Sequence, residues 1–367
     1  MRFIASLLIA FVAIAPHARG LVYRGADISS VPVVEAAGIT YKETTGASGK
    51  YENIIKAHGA NAVRIRVWTA GTYNTAFALS LAKRIKAAGL TLMVDLHYSD
   101  TWADPAHQSI PSGWGSTLAA LNTAIYNYTL NLVQQFNNQG TPIDVLQIGN
   151  EINGGFLWPV GQIANNVGWN NTSQLLHSAR NGAKDGGFTG KVMIHLANGW
   201  DNSAQTSWYQ KIQQQGAFTT ADFDIIGVSF YPFYGTSATL SNLQTALTNL
   251  ANTYGKPLIV AETDWPATAC STTLSASYAK SPAGQVAWSQ AIVNVLKALP
   301  NGLGQGLLYW EPGWIGNAGL GSSCADNLLV GSDGTSRSSV RQVLSCCIQR
   351  HGEWDVNLAI YSIFNLN

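Results

Sequence analysis

Eight times between residue 22 and about residue 345, a short apolar run gives way to a helix-like segment. Apolar runs of four to eight residues closed by turn residues read as buried strands. They fall at 22–28, 62–68, 91–97, 145–150, 192–197, 223–231, 257–262 and 306–310. Helical patterns fall at 51–58, 75–88, 117–139, 174–184, 208–215, 240–254, 284–298 and from 338. Eight strand–helix units of this spacing fit one closed (β/α)8 TIM barrel, an α/β single domain. An open doubly wound sheet is the competitor. It usually carries a Gly-rich phosphate turn after its first strand, and here that strand runs into Gly25-Ala-Asp27 with no GxGxxG. No internal repeat or low-complexity linker marks a second domain.

The second strand alternates Val63, Ile65 and Val67 with Arg64, Arg66 and Trp68. Period two puts the arginines on one face. Two arginines lining a barrel need carboxylate partners, or they are costly buried charges. Arg66, nearer the C-terminal end, is the better candidate to pair with a catalytic glutamate.

Charged residues are only 11% of the chain and the net charge is +1, so no nucleic-acid or membrane partner is indicated. Arg2 precedes an apolar run from Phe3 to Ala15, and Ala18-Arg-Gly20 supplies the small residues of a cleavage site. Residues 1–20 are therefore expected to be a signal peptide, residues 21–345 the catalytic barrel, and residues 346–367 a tail of unassigned status. A secreted, extracellular chain gives meaning to cysteines and sequons. Cys270 and Cys324 lie in separate loops and can form a disulfide; two free thiols are the alternative. Cys346 and Cys347 are adjacent and poorly placed to bridge each other. Asn127 and Asn170 head glycosylation sequons, the second overlapping one at Asn171. No zinc-ligand spacing is present, and no metal or cofactor is expected.

The seven glutamates are not scattered evenly: Glu151, Glu262 and Glu311 each close an apolar strand. In a (β/α)8 barrel the C-terminal strand ends form the catalytic face. Strands four and seven lie on opposite sides of the barrel, so Glu151 and Glu262, 111 residues apart in sequence, can face each other across its mouth. Two such carboxylates without a nucleotide or metal motif suit glycosidic-bond hydrolysis: one protonated donor, one ionised partner. Ion pairing at strand ends is the structural alternative. Glu311 is the rival, but if Trp310 faces the axis then Glu311 faces away, which suits a supporting role. His97, Asn198 and Tyr231 end strands at the same rim, and the long loop 98–115 carries Asp100 and Trp102. Trp68, Trp102, Trp265, Trp310 and Trp314 fall at strand ends or loops. Several tryptophans at one rim suit stacking on sugar rings.

Four stretches carry a family resemblance: Asp95-Leu-His-Tyr-Ser-Asp-Thr-Trp-Ala-Asp-Pro-Ala-His-Gln108, Ile148-Gly-Asn-Glu151-Ile-Asn-Gly-Gly155, Glu262-Thr-Asp-Trp-Pro266 and Tyr309-Trp-Glu-Pro-Gly-Trp-Ile-Gly-Asn-Ala-Gly319. From 22 to roughly 344 the chain resembles glycoside hydrolase family 53, the secreted arabinogalactan endo-β-1,4-galactanases. The Asn-Glu pair alone would mark only the wider clan of retaining barrel glycosidases. The resemblance implies that Glu151 is the acid/base, Glu262 the nucleophile, and Asn150 a contact to the sugar 2-hydroxyl. It implies retention of configuration, carboxyls about 5 to 5.5 Å apart, a galactan or arabinogalactan partner, and the fungal branch without calcium. The chain is expected to act as a monomer. Another barrel glycosidase, such as an endo-β-1,4-mannanase, and a non-catalytic carbohydrate-binding protein are the competing readings.

Overall fold

The computed structural model describes residues 20–316 and 322–345. Eight parallel strands close in sequence order into a barrel. They are β1 (Tyr23–Asp27), β2 (Ala62–Val67), β3 (Thr91–Leu96), β4 (Val145–Ile148), β5 (Lys191–Leu196), β6 (Ile225–Ser229), β7 (Leu258–Glu262) and β8 (Gly304–Tyr309). The helices are α1 (Val31–Ala36), α2 (Tyr51–Ala57), α3 (Thr75–Ala87), α4 (Leu118–Asn138), α5 (Asn166–Asp185), α6 (Asn202–Gln214), α7 (Leu240–Tyr254), α8 (Pro282–Lys297) and α9 (Val340–Ser345).

The expected (β/α)8 barrel is the observed fold. The short α1, between the first strand and the helix expected at 51–58, was not legible. Helices α5 and α6 begin eight and six residues before the sequence pattern suggests. Both open on polar turns that dilute the apolar period, and both are started by a side-chain cap. Asn165 accepts from the Val167 and Gly168 amides, and Asp201 from Ala204. Gly168 sits in that first turn because a Cβ there would lie 1.9 Å from the Gln162 carbonyl.

Period two sorts the strand side chains. Val63, Ile65 and Val67 pack into the large apolar layer between strands and helices. Inside the barrel, Ala62, Met93, Val145, Met193, Ile225, Ile259 and Leu308 form a separate apolar plug. Two residues further along the same faces stand Arg64, Asp95, Gln147, His195 and Trp310, at the C-terminal side. The barrel is therefore filled below and polar above. Cys270 and Cys324 are joined in a disulfide beyond β7 and β8. The expected signal peptide lies outside the described residues except for Gly20, and so does the whole tail from 346, with Cys346 and Cys347.

Candidate active site

A cavity of about 570 Å³ opens at the C-terminal mouth and is lined by both Glu151 and Glu262. Each arrives through a backbone irregularity. After β4, Gly149 turns at φ +92°, where a Cβ would lie 2.8 Å from Ile152 Cγ2, so the turn calls for glycine. Glu151 then takes a left-handed conformation, φ 48° and ψ 48°, a strained state of the kind held at functional sites. On the far wall the β6–β7 register slips: Val228 pairs with Val260, but Ser229 pairs with Glu262. Ala261 packs inside the barrel, and the slip lets its neighbour Glu262 reach the cavity too. Simple alternation would have sent Glu262 toward the helices.

Arg64 is the electrostatic centre. Its Nη1 lies 2.9 Å from Glu262 Oε1 and 3.0 Å from Asp27 Oδ2. Its Nη2 reaches Asp95 Oδ2 and Asn150 Oδ1, both at 2.9 Å. Its Nε donates to Gln147 Oε1 at 3.0 Å. Five N–H groups thus meet five acceptors, which satisfies a fully buried guanidinium. The Tyr231 hydroxyl donates to the other Glu262 oxygen at 2.9 Å.

Glu151 has no ion pair among the described residues; the Ser229 hydroxyl lies 2.6 Å from its Oε1. Burial, then the charge of Glu262, pushes the Glu151 carboxyl up to about 8. Burial also raises Glu262, but Arg64 and the Tyr231 hydroxyl oppose the rise. The two carboxyls share one negative charge most readily, and the one beside the cation carries it. A protonated acid thus faces an ionised carboxylate, the division of labour that acetal hydrolysis requires.

The glycosyl hydrolase family 53 profile matches residues 23–343. The chain belongs to glycosyl hydrolase family 53. The arabinogalactan endo-β-1,4-galactanase of Thermothelomyces thermophilus is 46% identical over 330 residues, covering 87% of this chain and 98% of the relative. A probable arabinogalactan endo-β-1,4-galactanase A of Aspergillus fumigatus is 48% identical over 323 residues, 84% of this chain and 89% of the relative. A solved structure of a fungal β-1,4-galactanase superposes with a TM-score of 0.85 at 44% identity, covering 89% of this chain and 99% of that one.

Within this family 53 site, most residues singled out from sequence converge. His97, Trp102, Asn150, Asn198, Tyr231 and Trp310 all line the cavity. His97 accepts the Ala103 amide at Nδ1 and faces Asp95 with Nε2, 2.9 Å away. Trp102 stacks on Trp314, and Trp310 lies beside both.

Four expectations need correction. Arg66 lines the cavity, but the catalytic-side partner of Glu262 is Arg64. Arg66 instead pairs with Glu311 beneath the tryptophans, its guanidinium 4.0 Å from the Tyr73 ring and 4.5 Å from Trp102. Asp100 is off the cavity: it accepts from the Thr69 hydroxyl and the Ser112 amide and shapes its own loop. Trp265 is fully buried against Trp288 and Tyr278, its indole donating to Ala279 O, so it is a core residue. Trp68 likewise buttresses Trp102 edge-on rather than lining the cavity. Glu311 is fully buried, accepts the Ser30 amide and hydroxyl, and has no face on the cavity, as its position after Trp310 suggested.

Arg64 as a site residue, Asp27, Asp95, Asp104, Ser229, Tyr234 and His195 were missed. For Asp95 and His195 the signal was available: each is a polar residue inside an apolar strand, two positions after a methionine that fills the barrel. Among the described residues no group of three or more His, Cys, Asp or Glu is arranged to hold a metal ion.

Proposed function

We propose that this protein is a secreted, endo-acting β-1,4-galactanase that hydrolyses type I arabinogalactan of pectin with retention of configuration. The observation that carries the mechanism is the asymmetry of the two carboxyls: Glu262 is paired with the Arg64 cation, and Glu151 opposite it meets only the Ser229 hydroxyl, so burial and the charge of Glu262 favour its protonated form. In the first step a Glu262 oxygen forms a bond to the anomeric carbon as the glycosidic C–O bond breaks. Glu151 gives its proton to the departing oxygen. In the second step Glu151 takes a proton from water, the water oxygen bonds to the anomeric carbon, and Glu262 leaves. Asn150 is the candidate contact to the 2-hydroxyl. Its amide is oriented by Arg64 at Oδ1 and by donation to Ala103 O. The Trp102–Trp314 pair and Trp310 offer flat faces for sugar rings.

The galactan substrate is supported by the named activities of the relatives. Secretion is supported by the apolar N-terminal run and the disulfide. Of the sequon asparagines, Asn127 is exposed on α4. Asn171 donates to Val160 O, which leaves Asn170 the freer of the overlapping pair. The chain is proposed to work as a monomer.

A reducing-sugar assay on potato galactan, mannan and carboxymethylcellulose tests the substrate, with the first-formed anomer read by proton NMR. Release from galactan, as the β-anomer, is expected. Preferential release from mannan would replace the substrate, and a first-formed α-anomer would replace the mechanism.

A further inference from the structure

His195 sits two places beyond Met193 on the inner face of β5 and is fully buried. Its Nε2 lies 2.9 Å from Ser229 Oγ, and Ser229 Oγ lies 2.6 Å from Glu151 Oε1. Its Nδ1 faces two amides at once: Asn150 Oδ1 at 2.8 Å and Gln147 Nε2 at 3.1 Å.

Neither amide is free to flip. Asn150 Oδ1 also accepts from Arg64, and its Nδ2 donates to the Ala103 carbonyl. Gln147 Oε1 accepts from Arg64 Nε, and its Nε2 also donates to Asp95. A reversed amide would set an acceptor against an acceptor in either case. Nδ1 therefore faces a fixed acceptor in Asn150 Oδ1 and a donor in the second Gln147 N–H, which Gly149 O and Asn150 Oδ1 also share, so either neutral tautomer of His195 finds a partner. The groups around the ring are Arg64 from β2, Asp95 and His97 from β3, and Glu151 beyond Ser229. Burial and the positive charge of Arg64 keep the ring neutral.

We propose that Ser229 and His195 form a reversible hydrogen-bond relay that holds Glu151 in one place both with and without its proton. In the free enzyme with Glu151 protonated, the proton rests on Oε1 and donates to Ser229 Oγ, Ser229 donates to His195 Nε2, and Nδ1–H donates to Asn150; the proton moves to the outer carboxyl oxygen when a glycosidic oxygen is there to receive it. With Glu151 ionised, Ser229 donates to Glu151, His195 Nε2–H donates to Ser229, and Nδ1 accepts from Gln147. No proton crosses the relay as a whole. The hydroxyl turns, and the imidazole exchanges one N–H for the other. Glu151 must serve as acid and then as base in a single turnover, and a one-way donor would favour only one of those states. Ser229 and His195 are positioning residues in this reading.

The inference rests on the assignment of Glu151 as acid/base, and its first readout, the tautomer of His195, is taken without substrate. In the intact enzyme labelled with ¹⁵N-histidine, the His195 ring should carry its proton on Nδ1 below the alkaline limb of activity and on Nε2 above it. The His195→Gln variant identifies the signal. Glu262→Gln removes the neighbouring charge and should move the crossover to lower pH. Ser229→Ala should uncouple the tautomer from pH and lower kcat on galactan roughly ten- to hundredfold, as expected for a lost hydrogen bond to a charged group. One unchanging tautomer across the limb, or a crossover that persists in Ser229→Ala, would overturn the relay. If instead Glu151→Ala kept full activity on galactan, the acid/base assignment itself would fall.

Discussion

Arg64 Nη1 lies 2.9 Å from Glu262 Oε1, while Glu151 across the cavity is held by a hydroxyl, that of Ser229. This difference in partners supports the proposed roles. The cation keeps its carboxylate ionised and aimed; the carboxyl without one keeps its proton.

If Glu262 is the nucleophile, Glu262→Ala should lose roughly 10⁴-fold in kcat, a loss typical of removing a member of a catalytic unit. The variant should stay folded, because Arg64 retains Asp27 and Asp95 as partners. Added azide should fill the space and give the α-glycosyl azide, the inverted product. Turnover within tenfold of wild type would remove Glu262 from the role and bring Glu311 forward. Buried under Arg66, Glu311 offers no cavity face from which to act.

The raised Glu151 carboxyl makes a prediction about stability as well as rate. Activity needs its protonated form, so kcat/KM should fall as pH rises through about 8. The folded state holds a proton there that the unfolded chain releases near 4.5. Between those values the native state binds more protons, so this carboxyl lowers stability as pH rises from about 4.5 to 8 and contributes no such loss below that window. Glu151→Gln removes the effect. Its melting temperature, relative to wild type, should be higher at pH 8 than at pH 4.5. An equal difference at both pH values would mean that Glu151 titrates normally.

The barrel was legible because eight apolar runs and their helices repeat a pattern that few folds satisfy. Glu151 and Glu262 were legible because carboxylates at strand ends are rare in a chain with so few charges. Alternation alone could not find what depends on departures from it. The β6–β7 slip that turns Glu262 inward, where it meets Arg64, leaves no composition signal. The same limit explains Trp265. Its position just after Glu262 suggests the rim, but its indole turns back to Ala279 O and packs on Trp288. Asp100, in a loop, carried no periodicity to place it at all.

The disulfide closes a separation of 54 residues, for which chain entropy gives about 4 kcal/mol at most. Non-reducing peptide mapping should yield one Cys270–Cys324 peptide. Replacing both cysteines by serine should lower the melting temperature by several degrees while leaving kcat on galactan within about twofold, because neither residue lines the cavity. Free thiols at both positions would refute the bridge.

The sharpest consequence concerns Glu151 and the leaving group. A galactosyl leaving group departs as a poor alkoxide unless protonated, so Glu151→Ala should cost roughly 10² to 10⁴-fold on galactan. An aryl galactobioside with a good leaving group needs little protonation, and its first step should survive within about tenfold, since Glu262 and Arg64 are untouched. The second step still lacks its base, so the glycosyl-enzyme should accumulate and release a burst of phenol. Azide needs no general base. It should restore turnover and give the β-azide, with configuration retained, the stereochemical opposite of the product from Glu262→Ala. Equal losses on both substrates would show that Glu151 supports the site without transferring the proton. An α-azide from Glu151→Ala would exchange the roles of the two glutamates, and the pairing of Glu262 with Arg64 would then need another explanation.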